Sequence, residues 1–588
     1  MPAGSPPVWR GLVDLSLESG RFGVRMNLNS RIKVGFAVSA TLENHPTALE
    51  PLLRSRWALR PAQVVCCAWF ALFFLYVSYI PLFHTDIWGH VLFGQLILDQ
   101  HALPVEDPFL PLAEGVPLVD GAWLSQVIFA AAVRFYGTEG LSMVFAVTVL
   151  LTHLILARTF YLQTKSIALS LLGSALVVII SWSRHAIIRP EIFGALCFAI
   201  LLWLIVRSDP DSCVDPDGAT RSSRLATWVG VPMLFVLWTN LHGSFPVGVI
   251  VLGCYALGRS IEVAWRTRDI WAVVQDPAVR RWVVWTELAA AATLVNPYGT
   301  ELIAYTFRFG NNANLKDVLE WFPLKLVDFE GWLVVFSVVL VMIVLRHSRR
   351  TVRPVEVLLW ASLMWMLAGA ARMINWYAFA LMVVLMPHLA DVLRRIVAAR
   401  RQGQPGALER FWTSYDQKRS FTLSLFAVLL VWSAFAFSPL SFPLLGGKPR
   451  DPRTVHSRQT PLALTEYLRK NPPRNLVFTP QWWGDWLCWS GPPGMKVFMT
   501  TNLHLVPAKV WNDYLRLSAG APGWDEILER YNVQSMIVDK DLENRLAQDA
   551  YRLAGWSVTY EDDLAMLVVR NRPAAAAGRE QPAPPGGQ

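Results

Sequence analysis

The run AQVVCCAWFALFFLYVSYIPLF at residues 62–83 carries no charged side chain over 22 positions, and the polar stretch HTDIWGH at 84–90 follows it directly. As a helix, a run of that length rises about 33 Å, enough to cross a hydrocarbon core about 30 Å thick. Ten further runs read the same way, at 140–161, 167–183, 191–206, 226–241, 245–261, 281–296, 331–346, 354–370, 373–393 and 421–438. Eleven spanning helices make this a mainly α-helical, polytopic membrane protein. Composition agrees. Of 588 residues, 54% are apolar and 16% charged, against roughly 25% charged in a soluble domain. Mean hydropathy is +0.35. The 27 Trp suit aromatic belts at two membrane interfaces. Six Cys at 66, 67, 197, 213, 254 and 488 form no C-x-x-C pair, so neither a disulfide framework nor a zinc site is expected.

The net charge of +9 sets topology here rather than attracting nucleic acid. The apolar stretch 122–137 decides the orientation. If it lies along the membrane instead of crossing it, the loops 158–166, 207–224, 259–281, 346–353 and 394–419 share one face and hold 21 Lys/Arg. The loops on the other face, 84–139, 184–190, 296–330 and 371–372, hold 7. Basic loops stay cytoplasmic, so 122–137 is expected to be a juxtamembrane helix, with 84–139 a large external loop. Residues 1–61 then form a basic cytoplasmic tail with no cleavable signal peptide, and 62–440 form the transmembrane domain. From 441 to 570 polarity returns. NLVFTP (475–480), KVFM (496–499), QSMIVD (534–539), WSVTY (556–560) and AMLVV (565–569) read as strands, and 461–470, 524–532 and 541–554 read as helices. This predicts a small external α/β domain, ending in a disordered Pro/Ala/Gly-rich tail at 571–588.

Ionisable groups near a bilayer are costly, and here they gather at one end of the spans. His84, Asp86 and His90 follow the first span, with Glu106 and Asp107 further along the same loop. A carboxylate at that level suits a general base, and paired carboxylates also suit a divalent cation. The plainer reading is solvated loop acids, with Asp107-Pro108 starting a turn. Arg184, His185, Arg189 and Glu191 lie between the third and fourth spans, where guanidinium forks match a phosphate; an Arg–Glu pair at the headgroup level is the alternative. Asn240 and His242 sit at a tight turn, as a ligand pair or as satisfiers of helix ends. Glu320, Arg372 and Asn375 fall at the same face. Within spans, His153 and Glu287 read as helix contacts, whereas a transporter or lipid flippase would carry more such midplane groups. A non-catalytic scaffold binding glycan through WWGDWLCW (482–489) is a further alternative; the same segment also reads as an apolar packing face. Neither a P-loop nor a G-x-S-x-G, H-E-x-x-H or G-x-G-x-x-G motif occurs, which disfavours a soluble nucleotide donor.

This layout resembles the GT-C glycosyltransferases, which include the protein O-mannosyltransferases and the lipid A aminoarabinose transferases. It is more closely similar to a large group of little-characterised bacterial membrane proteins. The resemblance is carried by DIWGH (86–90), GQLIL (94–98), LPVEDPF (103–109), WLSQ (123–126), RPEIF (189–193), NLHGSF (240–245), NPYG (296–299) and EW (320–321), and again by WWGDWLCW (482–489) and KVFM (496–499). It implies a membrane glycosyltransferase that moves a sugar from a polyprenyl phosphate to an acceptor on the external face of a bacterial cytoplasmic membrane. It further implies Asp86 as general base and Arg189 and Arg372 as phosphate contacts. The reading of the residues adds Asp107 as the next catalytic carboxylate and His84, His90, Arg184, His185, Asn240, His242 and Glu320 as substrate or phosphate contacts, with no assigned metal ligand and a divalent cation as the one conceivable cofactor. Two departures stand out. The superfamily often shows a second acid beside the first, whereas Asp86 is followed by Ile87. The group's usual acidic and basic residues after KVF are replaced by Thr500, Thr501 and Asn502, so the resemblance assigns that strand no catalytic role.

Overall fold

The computed structural model describes residues 57–212, 221–400 and 418–571. Most of the expected basic tail 1–61 and of the tail 571–588 lies outside those residues.

Each of the eleven expected spans is a helix: α1 Pro61–Ser78, α4 Glu139–Thr164, α5 Ile167–Ile180, α6 Glu191–Ser208, α7 Arg221–Leu241, α8 Phe245–Thr267, α9 Pro277–Ala292, α11 Phe329–His347, α12 Pro354–Gly369, α13 Ile374–Arg400 and α14 Phe421–Phe437. Between them come α2 Ile87–Gln100, α3 Trp123–Tyr136 and α10 Thr300–Gly310. Six of the spans, α1, α4, α6, α8, α11 and α13, are both long and apolar enough to cross a bilayer, while α5, α12, α14 and the apolar part of α7 are shorter. The most enclosed is α13, with an unbroken buried stretch from Ile374 through Met386. The exposed side chains of α11 and α14, such as Trp332, Phe336, Leu425 and Trp432, form the apolar outside that a lipid solvent requires.

α2 and α3 are not among the spans. They pack against each other, and Gly94 is the reason they approach so closely: a Cβ there would lie 2.0 Å from the Gln126 carbonyl oxygen. The side chain is missing where a backbone fills its place.

After α14 the chain builds α15 Leu462–Lys470, β1 Leu476–Phe478, α16 Gln481–Ser490, β2 Lys496–Val497, α17 Ala508–Ser518, α18 Trp524–Arg530, β3 Ser535–Asp539, α19 Asn544–Ala550, β4 Trp556–Glu561 and β5 Ala565–Arg570. The strands form one sheet in the order β2-β1-β3-β5-β4, in which β1 is parallel to β2 and β3, and β5 antiparallel to β3 and β4. β3 is buried at every position, which is why SMIVD reads as a continuous run rather than an alternation. Two helices, α16 and α17, lie where the sequence reading placed none. The WWGDWLCW segment is the body of α16, and it buries Trp483 and Trp486.

This sheet domain is seated on α2. Trp88 is fully buried, its ring 4.9 Å from that of Trp486, 4.3 Å from Trp489 and 5.4 Å from His456, while its Nε1–H donates to the Phe83 carbonyl at 2.7 Å. Leu82 exchanges two 2.8 Å main-chain bonds with Val455 and Ser457, and Arg450 pairs in a fork with Glu139 at 2.6 and 2.5 Å. Domain and loop therefore share one core. Gly94→Ala forces α2 and α3 apart and is expected to cost at least the 1–3 kcal/mol typical of an overpacked core, read as a lowered midpoint of thermal aggregation in detergent; an unchanged midpoint would show that the helices slide without loss.

Candidate active site

Four connections end together at one end of the helical bundle. Asp86 is the residue that starts α2. Arg184 lies in a 3-10 turn, Trp182–His185, after α5, and Arg189 comes two residues before α6 opens with Glu191. Glu320 lies in the turn Leu319–Trp321, and Arg372 in the turn Ala371–Met373 before α13. Short turns at helix ends are where a chain can present charge without burying unpaired backbone.

The charges meet on Glu320. Its Oε2 accepts from Arg184 Nη1 at 3.0 Å and from Arg189 Nη1, while Arg372 Nη1 is 3.5 Å from Oε1. Arg184 also forks onto Glu191, with Nε 3.3 Å from Oε1 and Nη2 on Oε2. Arg189 Nε donates to Asp86 Oδ1 at 3.2 Å. The Arg372 guanidinium stacks 4.3 Å from the Trp321 ring. Burial alone would raise the Glu320 carboxyl, but Arg372, Arg189 and Arg184 outweigh it and hold it well below the usual carboxylate range. Burial would likewise lower Arg189, yet Asp86 and Glu320 prevail and raise it. Three arginines thus face three carboxylates, those of Asp86, Glu191 and Glu320. Behind them lies a small cavity of about 30 Å³ whose lining includes His153, Arg184, His185, Arg189, Glu191 and Asn375. The Asn375 side-chain oxygen is buried there with no hydrogen-bond partner among the described residues.

The other sequence candidates fall into two sets. His90 and His242 flank the cluster. Gln126 Nε2 donates to Asp120 Oδ1 at 3.1 Å and to His90 Nδ1 at 3.2 Å, so both amide hydrogens are used and the His90 proton resides on Nε2. Burial lowers the His90 ring, and it is neutral. Burial also takes His242 down to about 4, and its Nδ1 bonds Ser244 Oγ at 2.7 Å. The second set is occupied elsewhere. Asn240 accepts from Trp123 Nε1 at 2.9 Å and donates to the Val236 and Val295 carbonyls, which makes it a tie between helices. His185 bonds His153, whose Nδ1 meets Ser174 at 3.1 Å; both belong to a buried helix contact that borders the cavity. His84 is buried against Trp483. Glu287, expected as a helix contact, is the exception: it is exposed on α9.

Asp107 opens the expected turn, accepting from the Phe109 amide at 2.9 Å. Its Oδ2 accepts from Asn502 Nδ2 at 2.7 Å, a contact across 395 positions of sequence. The neighbouring Thr501 donates from its amide (3.1 Å) and its hydroxyl (2.5 Å) to Asp485 Oδ2. Burial raises Asp107 and pushes Asp485 up to about 7. The same segment seats the loop leading to Glu320: Asn314 Nδ2 donates to the Leu503 and Val506 carbonyls, and Tyr305 bonds His504 at 2.8 Å. The carboxylates that could take a divalent cation have partners within the protein. Asp86 is engaged by a guanidinium, Asp107 by an amide, and Glu106 by the Gly115 N–H at 3.0 Å. Among the described residues no three His, Cys, Asp or Glu side chains group as metal ligands.

No protein-family model and no curated protein matches the chain by sequence. Solved structures do match it by shape. The archaeal oligosaccharyltransferase AglB from Archaeoglobus fulgidus, in complex with an inhibitory peptide and a dolichol-phosphate, superposes with a TM-score of 0.50 at 13% identity over 82% of this chain and 69% of that one. The chain shares the fold of that oligosaccharyltransferase. Two further structures superpose with lower scores. They are the A. fulgidus oligosaccharyltransferase tethered with an acceptor peptide (TM-score 0.48, 13% identity, 87% of this chain and 74% of that one) and ArnT from Cupriavidus metallidurans (0.49, 12%, 86% and 97%).

Within this fold, sequence reasoning gave no role to Asp485, Thr501 or Asn502. The available signal was an acid inside an otherwise aromatic segment, QWWGDWLCWS, where an unpaired charge would be costly. The arginine cluster makes its own prediction. Glu320→Gln removes the counter-charge shared by three guanidinium groups, and breaking a buried pair typically costs about 3–5 kcal/mol. Urea unfolding in mixed micelles should show a loss of that order, and a variant as stable as wild type would mean that the arginines need no common partner.

Proposed function

We propose that the protein is a membrane glycosyltransferase that moves a sugar from a polyprenyl-phosphate donor to an acceptor on the external face of a bacterial cytoplasmic membrane. The observation that carries this reading is the convergence of Arg184, Arg189 and Arg372 beside a cavity, with the Asp86 carboxylate held on Arg189. Guanidinium forks match phosphate geometry, and a lipid-borne donor accounts for the lack of a nucleotide motif. That AglB was solved with a dolichol-phosphate supports the same donor class here.

The chemistry follows from the placement of charge. The acceptor hydroxyl oxygen bonds to the anomeric carbon as the bond from that carbon to the phosphate oxygen breaks. Asp86 takes the hydroxyl proton, and the polyprenyl phosphate leaves with the bonding electrons. The arginines offset the charge that develops on it, a task for groups already in position. Three arginines are already balanced by Asp86, Glu191 and Glu320, so an arriving phosphate must displace a carboxylate. Glu320 is the carboxylate whose departure frees all three arginines at once, and it sits on a short turn between α10 and α11. Asp107, held by Asn502, is the second carboxylate of the acceptor side.

The charge bias of the loops supports an orientation with 84–139 and 441–570 both external. Single cysteines placed at Val105 and Leu542, both well exposed, are expected to react with a membrane-impermeant maleimide added outside intact cells; labelling only after lysis would put the site on the cytoplasmic face. Loss of a general base costs about 10²–10⁴-fold in rate. Asp86→Asn is therefore expected to lose that much of kcat on undecaprenyl-phosphate hexoses and pentoses, with deletion-strain membranes supplying the acceptor, while still binding the donor through the arginines. Wild-type turnover by Asp86→Asn would remove Asp86 from the mechanism and leave Asp107 to be tested in its place.

A further inference from the structure

Gly89 lies three residues after Asp86, in the first turn of α2 and on the same side of it. A Cβ at Gly89 would stand 2.5 Å from Asp485 Oδ1 and 3.0 Å from its Cγ. The Asp485 carboxyl thus rests on the α2 backbone at a point that only glycine leaves open. Its other oxygen is anchored twice by Thr501, at 3.1 and 2.5 Å, and the next residue, Asn502, holds Asp107 at 2.7 Å. Trp88, adjacent to Gly89, is locked among Trp486, Trp489 and His456. The sheet domain therefore grips the first turn of α2, the turn that aims Asp86.

We propose that Asp485 is a positioning residue: seated on Gly89 and anchored by Thr501, it fixes the first turn of α2 and so the direction in which Asp86 meets the acceptor. The inference rests on the transferase reading of Asp86. It gives the sheet domain a part in the chemistry without placing any of its side chains on the reacting atoms.

Charge makes the grip pH-dependent. The titratable groups facing Asp485 are Asp86 on α2, Asp107 on the loop after it and the Cys488 thiol on its own helix, while residues 500–502 bring only uncharged donors. Burial raises the carboxyl first, the Thr501 bonds lower it, and Asp86 and Asp107 raise it again, to about 7. Below that pH Asp485 is neutral and sits against α2 without repulsion. Above it, Asp485 is negative beside the Asp86 and Asp107 carboxyls, which loosens the contact.

The test uses the full chain in nanodiscs, with undecaprenyl-phosphate hexoses and pentoses as donors and deletion-strain membranes as acceptor source. Gly89→Ala drives a methyl into the Asp485 carboxyl. A displacement of about 1 Å can cost on the order of 10²-fold, so kcat should fall about 10- to 100-fold while KM for the donor stays near wild type. Adding Asp485→Ser, which shortens the opposing side chain, should recover part of that loss. Asp485→Asn keeps an oxygen for Thr501 but cannot ionise, so it should match wild type at pH 6 and lack the wild-type decline in kcat above pH 7. Wild-type kcat in Gly89→Ala, or a declining limb that survives in Asp485→Asn, overturns the proposal. If Gly89→Ala fails to accumulate, the Asp485→Asn pH profile decides alone. A wild-type protein that transfers none of these sugars sinks the transferase reading and this inference with it, and is recognised before any variant is made.

Discussion

The structure depends on one carboxylate. Glu320 is shared by Arg184, Arg189 and Arg372, which come from the turn after α5, the approach to α6 and the turn before α13. Three guanidinium groups pressed together near a bilayer would repel one another strongly, and the low local dielectric would amplify the cost. With Glu320 between them, and with Glu191 and Asp86 taking the remaining forks, the cluster becomes a tie among four connections that lie far apart in sequence. The helix ends converge because the charges have nowhere cheaper to go.

Much of this was legible in advance, and the parts that were not share a cause. Spans were readable because a helix in lipid must be apolar along its whole length, and each of the eleven runs is a helix. Strands such as QSMIVD were readable because their runs are short and rich in branched and apolar residues. The gathering of Asp86, Arg184, Arg189, Glu320 and Arg372 at one face followed from loop parity alone, but their pairing did not. The sequence suggests Arg189 as partner of Glu191, two positions away; the structure gives Glu191 to Arg184 and hands Arg189 to Asp86 and Glu320. Spacing along a chain says little about partners at a turn, where the backbone direction reverses.

Thr501 and Asn502 were harder to read. As a strand end that lacks acids and bases they carried no catalytic role, and what they do in the structure is donate hydrogen bonds to acids elsewhere: Thr501 to Asp485, and Asn502 to Asp107 across 395 positions. Uncharged donors leave no pattern in composition, and contacts of that sequence separation follow no local period. α16 escaped notice for a related reason. Trp and Gly are weaker helix formers than Ala or Leu, so QWWGDWLCWS reads as a packing face without declaring its secondary structure.

Charge balance also constrains the proposed transferase reading. Three arginines against three carboxylates leave no net charge to attract a phosphate from a distance, so under that reading donor affinity comes from exchange, phosphate for carboxylate, at close range. Exchange in a buried site is nearly neutral in charge–charge terms only if the displaced carboxylate reaches solvent or a new partner. Glu191, fully engaged by Arg184 at the start of a long helix, cannot move without unwinding that helix. Asp86 is fixed by the first turn of α2, on which the sheet domain is seated. Glu320 alone sits on a short turn between longer elements, and that loop is in turn seated on Leu503 and Val506 of the sheet domain through Asn314. The domain that steadies the proposed base on one side therefore also carries the loop proposed to yield on the other, which is a physical reason for such a site to keep a sheet domain pressed against its mouth.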